Sequence, residues 1–218
     1  MTRGLFIAFE GIDGCGKSTQ VAKLAKHLLE LDKHNHVLIT RNPYKNTNIR
    51  AILRSEDNPY SQAEKLAKLF TDDRRQHFEE LILPNIINNV NIITDRFSFS
   101  TLAYQHTQGM KLKKLIGMHR GIKIPDIIFI IDVPAEVAIN RMKNDKIRKT
   151  EQKFEKNKQF IEKLRKNYLN LAKLPNHNVI IVNGIGSSEE IFEKQIKPAF
   201  DKFYSQSQNT IQKVVTQV

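Results

Sequence analysis

The chain has 218 residues, 40% hydrophobic and 27% charged, so it can bury a sizeable core and is too apolar to be a disordered chain. No apolar run approaches the roughly 20 residues that cross a bilayer, the first residues do not read as a secretory leader, and a single cysteine excludes an internal disulfide framework and a cysteine-based zinc site. The net charge of +12 favours polyanionic partners.

Five short runs rich in Ile, Val and Phe recur with helical patterns between them: Gly4 to Phe9, His36 to Thr40, Val90 to Thr94, Ile127 to Asp132 and Val179 to Val182. Each is nearly continuous in apolar character, as strands buried on both faces are. The alternation predicts an α/β fold with a five-stranded parallel sheet flanked by helices. Ligands in such sheets bind beyond the carboxyl ends of the strands, so the residues just after each run carry the functional information.

After the first run stands Gly11-Ile12-Asp13-Gly14-Cys15-Gly16-Lys17-Ser18-Thr19, which fits G-x-x-x-x-G-K-[ST] and precedes a helical pattern (Val21, Leu24, Ala25, Leu28, Leu29). Glycines let backbone N–H groups converge on phosphate oxygens, and the helix that follows adds its free N–H groups. Lys17 is expected on the β- and γ-phosphates of ATP, and the Ser18 hydroxyl on Mg²⁺. Cys15, beside Lys17 and a helix N-terminus, is expected to react with alkylating reagents, with Mg·ATP protecting it.

The second run ends in Thr40-Arg41-Asn42-Pro43, where Pro43 holds Asn42 extended; Arg41 is either presented to a ligand from a stiff strand end or part of an ordinary turn. From Gln62 to Asn89 runs a helical pattern kinked or broken at Pro84. Phe70 lies on its apolar stripe, a core position; Phe70 and Arg74 also share one face, where a ring and a planar cation could stack on a base and bond its edge. The third run ends in Asp95-Arg96, an acid placed for Mg²⁺ and a cation placed for phosphate, or else a surface ion pair.

Beyond the fourth run come Arg141 and a basic stretch, Lys143 to Lys149, with little apolar anchorage; residues 142–150 read as a mobile lid. A helix is expected from about Glu151 to Leu174, with Phe154, Ile161, Leu164, Tyr168 and Leu171 on one stripe. The fifth run leads into Asn183-Gly184-Ile185 and a last helix to about Tyr204. Residues 1–204 are expected to form one domain, and 205–218 a loosely held polar tail. No aromatic-studded sheet or nucleic-acid motif accompanies the positive charge, so the expected partners are nucleotides, with no nucleic acid and no membrane, in the cytoplasm.

Together these segments resemble thymidylate kinases, the P-loop nucleoside monophosphate kinases that act on dTMP. Phe9 to Gln20 is similar to that family's phosphate loop, and Thr40-Arg41-Asn42-Pro43 to its T-R-E-P segment. Asp95-Arg96-Phe97 followed by Ser100-Thr101-Leu102-Ala103-Tyr104-Gln105 is similar to its D-R-[YFH] and S-x-x-A-Y-Q signatures. The resemblance implies transfer of the γ-phosphoryl of Mg·ATP to dTMP, giving dTDP on the way to dTTP, by a homodimer. It implies that Phe70 stacks on thymine, that Arg74 and Thr101 meet its edge with Gln105 nearby, that Tyr104 lies against the sugar and that Asp13 reaches the 3′-hydroxyl. Arg96 and Arg41 would bind the acceptor phosphate, while Asn183, Gly184 and Ile185 would lie by the adenine.

Two departures stand out. Asn42 replaces the family's Glu, and the variable positions of the phosphate loop hold no arginine. The resemblance then puts the transition-state cation in the lid, where a guanidinium spans two phosphoryl oxygens better than an ammonium does; Arg148 is the expected catalytic cation and Arg141 an ATP contact. The competing readings are another pyrimidine nucleotide or nucleoside kinase on this scaffold, and a P-loop ATPase or switch.

Overall fold

The five apolar runs form strands β1 (Phe6–Glu10), β2 (His36–Arg41), β3 (Val90–Asp95), β4 (Ile127–Asp132) and β5 (Val179–Asn183). They appear in a computed structural model that describes residues 3–55, 58–144 and 157–215, the side chains of 208–215 excepted. All pair in parallel, in the order β2-β3-β1-β4-β5. β1, β3 and β4 are almost wholly buried, as continuous apolar runs imply. β2 and β5 carry equally apolar runs yet form the two edges, where Ile39 and Ile181 are about half exposed. Parallel register aligns Phe9 and Arg41 with Asp95, so the first three strands deliver Glu10, Arg41 and Asp95 to one edge of the sheet.

Helices α1 (Lys17–Leu31), α2 (Thr47–Ser55), α3 (Ala63–His77), α4 (Leu83–Ile87), α5 (Ser98–Thr107), α6 (Leu112–Met118), α7 (Ala135–Lys143), α8 (Lys158–Leu171), α9 (Ser188–Ile191) and α10 (Lys197–Val215) flank the sheet. α1 packs on β1, β2 and β3, α8 packs on β4, and α5 lies between α3 and α8.

Three expectations are refined. The long pattern from Gln62 is not simply broken at Pro84: a π-helical turn, Phe78–Ile82, joins α3 to α4, with Pro84 second in the new helix. A second π turn, Phe192–Ile196, likewise leads into α10 with Pro198 second. Each extra residue opens the backbone where a proline removes an N–H and its ring crowds the preceding turn. α8 is described from Lys158 and ends at Leu171; its expected start at Glu151, with Phe154, lies outside the described residues. The last helix does not stop near Tyr204 but runs through the polar stretch to Val215, since Ser205 to Asn209 contains no glycine or proline to end it.

Candidate active site

The loop between β1 and α1 is shaped for anions. Gly14 has φ +77° and approaches α7 so closely that a Cβ would stand 2.4 Å from the Ala138 carbonyl oxygen, which no side chain tolerates. Gly16 caps α1 in a left-handed conformation and no side chain caps the helix, leaving its first N–H groups for a ligand. Ser18 and Thr19 follow in the first turn. Lys17 is folded into the loop, with Nζ donating to the carbonyls of Gly11 at 3.1 Å and Ile12 at 2.9 Å. The expected alkylation of Cys15 needs correction: its thiol is 1% exposed and in contact with Lys17 Nζ, so a reagent reaches it only if the loop opens.

Ser18 Oγ donates to Asp95 Oδ2 at 2.8 Å, and Arg41 Nη2 lies 3.5 Å from the same oxygen. Asp95 is buried, and its Oδ1 has no partner among the described residues. A hydroxyl beside a carboxylate with a spare buried oxygen fits Mg²⁺, which takes one or two protein oxygens and completes its shell with phosphate and water.

Beside this pair opens a cavity of about 330 Å³. Asp13, Arg41, Phe70, Arg74, Arg96, Thr101, Tyr104 and Gln105 all line it, so every residue expected around the acceptor meets there. Arg74 is fully buried, donating from Nη1 to Thr101 Oγ1 and His119 Nε2, both at 2.9 Å. Burial pushes its guanidinium down to about 10 against the pull of Glu10 and Asp73, which leaves it a cation at neutral pH. Because Arg74 can only donate, His119 Nε2 is the acceptor; burial, reinforced by Arg74, pushes His119 down to about 3 and keeps it neutral.

Arg96 sits at φ +73°, strained for a side-chain-bearing residue, and its guanidinium is held from several sides. Nη1 meets Gly11 O, Ser100 Oγ and Tyr168 OH at 3.0–3.1 Å, and Nη2 meets Asp13 Oδ1 at 2.7 Å. Tyr104 OH donates to Asp13 Oδ2 at 2.7 Å. Burial opposes the charge on Asp13, but Arg96 and Lys17 outweigh it and hold the carboxyl well below the usual carboxylate range. Arg96 is thus a fixed part of the cavity wall.

Of the four further buried polar atoms that lack a partner among the described residues, Gln20 Oε1 lies elsewhere, and the other three are Asn42 Oδ1, Arg74 Nε and Gln105 Oε1. All three residues line the cavity. Buried polar groups are normally satisfied, so a cluster of exceptions in one cavity points to a ligand.

On the far side of the loop, Arg141 Nη1 donates to Cys15 O at 3.4 Å and Nη2 to Gly184 O at 2.9 Å, tying the phosphate loop to Asn183, Gly184 and Ile185. Of the expected lid, residues 142–150, Met142 and Lys143 form the end of α7 and Asn144 follows it, while the remainder, with Arg148, lies outside the described residues.

Sequence reasoning missed the residues that work through others. Glu10 accepts from Phe97 N–H and from Ser100 N–H and Oγ, fixing the start of α5; an acid at the end of a buried strand was the available signal. Asp73 accepts three backbone N–H groups, of Tyr44, Lys45 and Asn46, at 2.6–2.9 Å, fixing the turn into α2. α2 itself contributes Arg50, Leu53 and Arg54 to the cavity, and the four-residue spacing of its two arginines was the signal for that face.

The comparisons with known proteins agree with this geometry. The family described as Thymidylate kinase matches residues 9–196. A probable thymidylate kinase of Pyrococcus horikoshii is 38% identical over 196 residues, covering 87% of this chain and 92% of that protein. A thymidylate kinase of Fervidobacterium nodosum is 38% identical over 203 residues, covering 88% and 97%. The crystal structure of thymidylate kinase from Ehrlichia chaffeensis superposes with a TM-score of 0.67 at 28% identity, covering 89% of this chain and 98% of that one. The chain belongs to the thymidylate kinase family.

Proposed function

We infer that the protein transfers the γ-phosphoryl group of ATP to thymidine monophosphate, yielding the diphosphate and ADP. The observation that carries this reading is a single cavity beside the phosphate loop that combines an aromatic wall, Phe70, with a buried donor, Arg74 Nε, and a buried acceptor, Gln105 Oε1, neither of which has a partner among the described residues. A thymine edge offers the complement, a carbonyl oxygen next to an N–H; a cytosine edge offers the reverse and would leave buried groups unpaired. Arg41 and Arg96 supply positive charge for the acceptor phosphate.

The work of catalysis is then mostly positioning and electrostatics. The acceptor oxygen is already anionic and needs no strong base. Lys17 and the uncapped N–H groups of α1 hold the donor phosphates, and Asp13, locked by Arg96 and Tyr104, fixes the sugar. Ser18 and Asp95 are the proposed Mg²⁺ ligands. Bound there, the ion neutralises charge on the donor phosphates. Arg148 is the proposed cation on the transferring group. We also propose a cytoplasmic homodimer; exposed Leu83 and Ile87 on α4 offer apolar surface for a second copy.

The test is ADP formation with Mg·ATP and each of dTMP, dUMP, dCMP and dGMP. Strong stimulation by dTMP and little by dCMP is expected. Stimulation by a different monophosphate alone would mean another kinase on this scaffold, and stimulation by none an ATPase or switch.

A further inference from the structure

Arg74, the proposed reader of the base edge, is itself held by a residue outside the cavity. His119 caps the C-terminal end of α6 and is not among the residues that line the cavity. Its ring nevertheless reaches across to α3, with Nε2 2.9 Å from Arg74 Nη1. The proton on this ring is fixed from both sides. Nδ1 lies 2.8 Å from the Leu115 carbonyl, which can only accept, so Nδ1 carries the proton. Nε2 is then bare and must accept, and the guanidinium opposite it can only donate. Two unrelated partners demand the same neutral tautomer. Burial keeps the ring neutral, and the cations Arg74 and Arg75 add to that effect.

The backbone that carries the ring is anchored as well. Arg75, next to Arg74 on α3, donates from Nη2 to the carbonyls of Met118 at 3.0 Å and Arg120 at 2.9 Å, one on each side of His119. His119 N–H turns back to the Leu115 and Ile116 carbonyls. Consecutive arginines of α3 therefore grip the same short stretch, Arg75 by its backbone and Arg74 by the His119 ring.

The consequence falls on Arg74. The Phe97 ring, 5.4 Å from Cζ, covers one face of the guanidinium, which leaves the group free to turn in its own plane. The two N–H bonds of Nη1 stop that turn, one on Thr101 Oγ1 and one on His119 Nε2, each at 2.9 Å. Nε, which has no partner among the described residues, belongs to the same rigid fork, so its direction is set by what holds Nη1. Of the two holders, Thr101 lines the cavity and His119 stands behind it.

We propose that His119 is a positioning residue for base selection: it locks the Arg74 guanidinium so that Nε meets a pyrimidine edge bearing a carbonyl oxygen there and rejects one bearing an amino group. This deepens the phosphoryl-transfer reading above and rests on it.

The test compares two amides of different reach at this position. In His119→Gln the amide ends where Nε2 stands and can accept from Arg74; in His119→Asn it ends near Nδ1, short of Arg74. Initial rates are measured over ranges of dTMP, dCMP and ATP, with thermal midpoints alongside. His119→Asn is expected to raise KM for dTMP roughly tenfold, the scale of one hydrogen bond to a charged group, and to lower the ratio of kcat/KM for dTMP over dCMP by a similar factor. Its KM for ATP and its kcat with dTMP are expected to hold, and His119→Gln is expected to keep the selectivity of the unsubstituted protein. An unchanged ratio in His119→Asn, or an equal fall in both variants, overturns the proposal and leaves His119 a cap on α6. Nitrogen NMR of the His119 ring in the unsubstituted protein tests it without any variant: Nδ1 protonated and Nε2 bare is expected at neutral pH, and the opposite tautomer overturns it. No dTDP from dTMP and Mg·ATP with the unsubstituted protein would instead overturn the kinase reading, and this proposal with it.

Discussion

Phe70 and Arg74 stand one turn apart on α3, yet the fold treats them differently. Arg74 is buried completely, its charge braced by Thr101 and His119, whereas Phe70 is half-buried and turns part of its ring to the cavity. Apolar periodicity could not choose between core and cavity for Phe70, because both uses need the same spacing; the half-buried ring packs against the core and also lines the cavity. Phe70→Ala is expected to weaken thymidine monophosphate binding by roughly 1–3 kcal/mol, the scale of base stacking on an aromatic ring, with ATP affinity nearly unchanged. Calorimetric titration with each nucleotide checks this. Equal losses for both would mean that the ring serves packing alone.

At the scale of elements, α3 acts as a brace for the segment after β2. Asp73 holds the backbone of residues 44–46, while His77 reaches Thr40 Oγ1 at 2.8 Å and Asn42 Nδ2 at 3.1 Å and stacks on Tyr44. Asn42 Nδ2 can only donate, so His77 Nδ1 accepts, its proton sits on Nε2, and the histidine is neutral. Burial pushes His77 down to about 4, with Arg74 adding to the effect and Asp73 opposing it. The unfolded chain takes up this proton near the ordinary value of 6.5 and the folded chain only near 4. Stability is therefore expected to fall as pH drops from 6.5 to 4, by roughly 3 kcal/mol from this group, with no further loss from it below. Urea midpoints across that range check it: His77→Gln should flatten the slope, and an unchanged slope would remove His77 as the cause. None of this brace was legible beforehand, because no local pattern tells an acid or a histidine in one helix which turn, some 30 residues away, it will hold. The strands were legible, since a run buried on both faces must be continuously apolar; which runs lie at the edges was not, since that depends on pairing between distant segments.

Across the whole molecule, the residues expected around the acceptor come from the phosphate loop, the ends of β2 and β3, α3 and α5. They were findable together because a parallel sheet brings its strand ends to one side. The same view narrows where the cation on the transferring phosphoryl can originate. The phosphate loop has no arginine, Arg74 is enclosed with Thr101 and His119, Arg96 is tied to Asp13 and Gly11, and Arg141 is tied to Cys15 and Gly184. Each would have to break contacts that hold the site together in order to follow the developing charge. Arg41, Arg50 and Arg54 line the acceptor cavity, where they suit the acceptor phosphate. The resemblance to the family puts this cation in the basic stretch between α7 and α8, of which residues 145–150 lie outside the described residues, and Arg148 is the proposed group there, a guanidinium that spans two equatorial phosphoryl oxygens where Lys149 acts as a point charge. Arg148→Ala is expected to lower kcat by roughly 10²-fold or more with little change in KM for either substrate, the pattern of a contact made only in the transition state. Steady-state kinetics of Arg148→Ala, Lys149→Ala and Arg141→Ala decide the matter. A silent Arg148→Ala beside a crippled Lys149→Ala would move the role by one residue, and silence at both would return the search to Arg50 and Arg54 of α2.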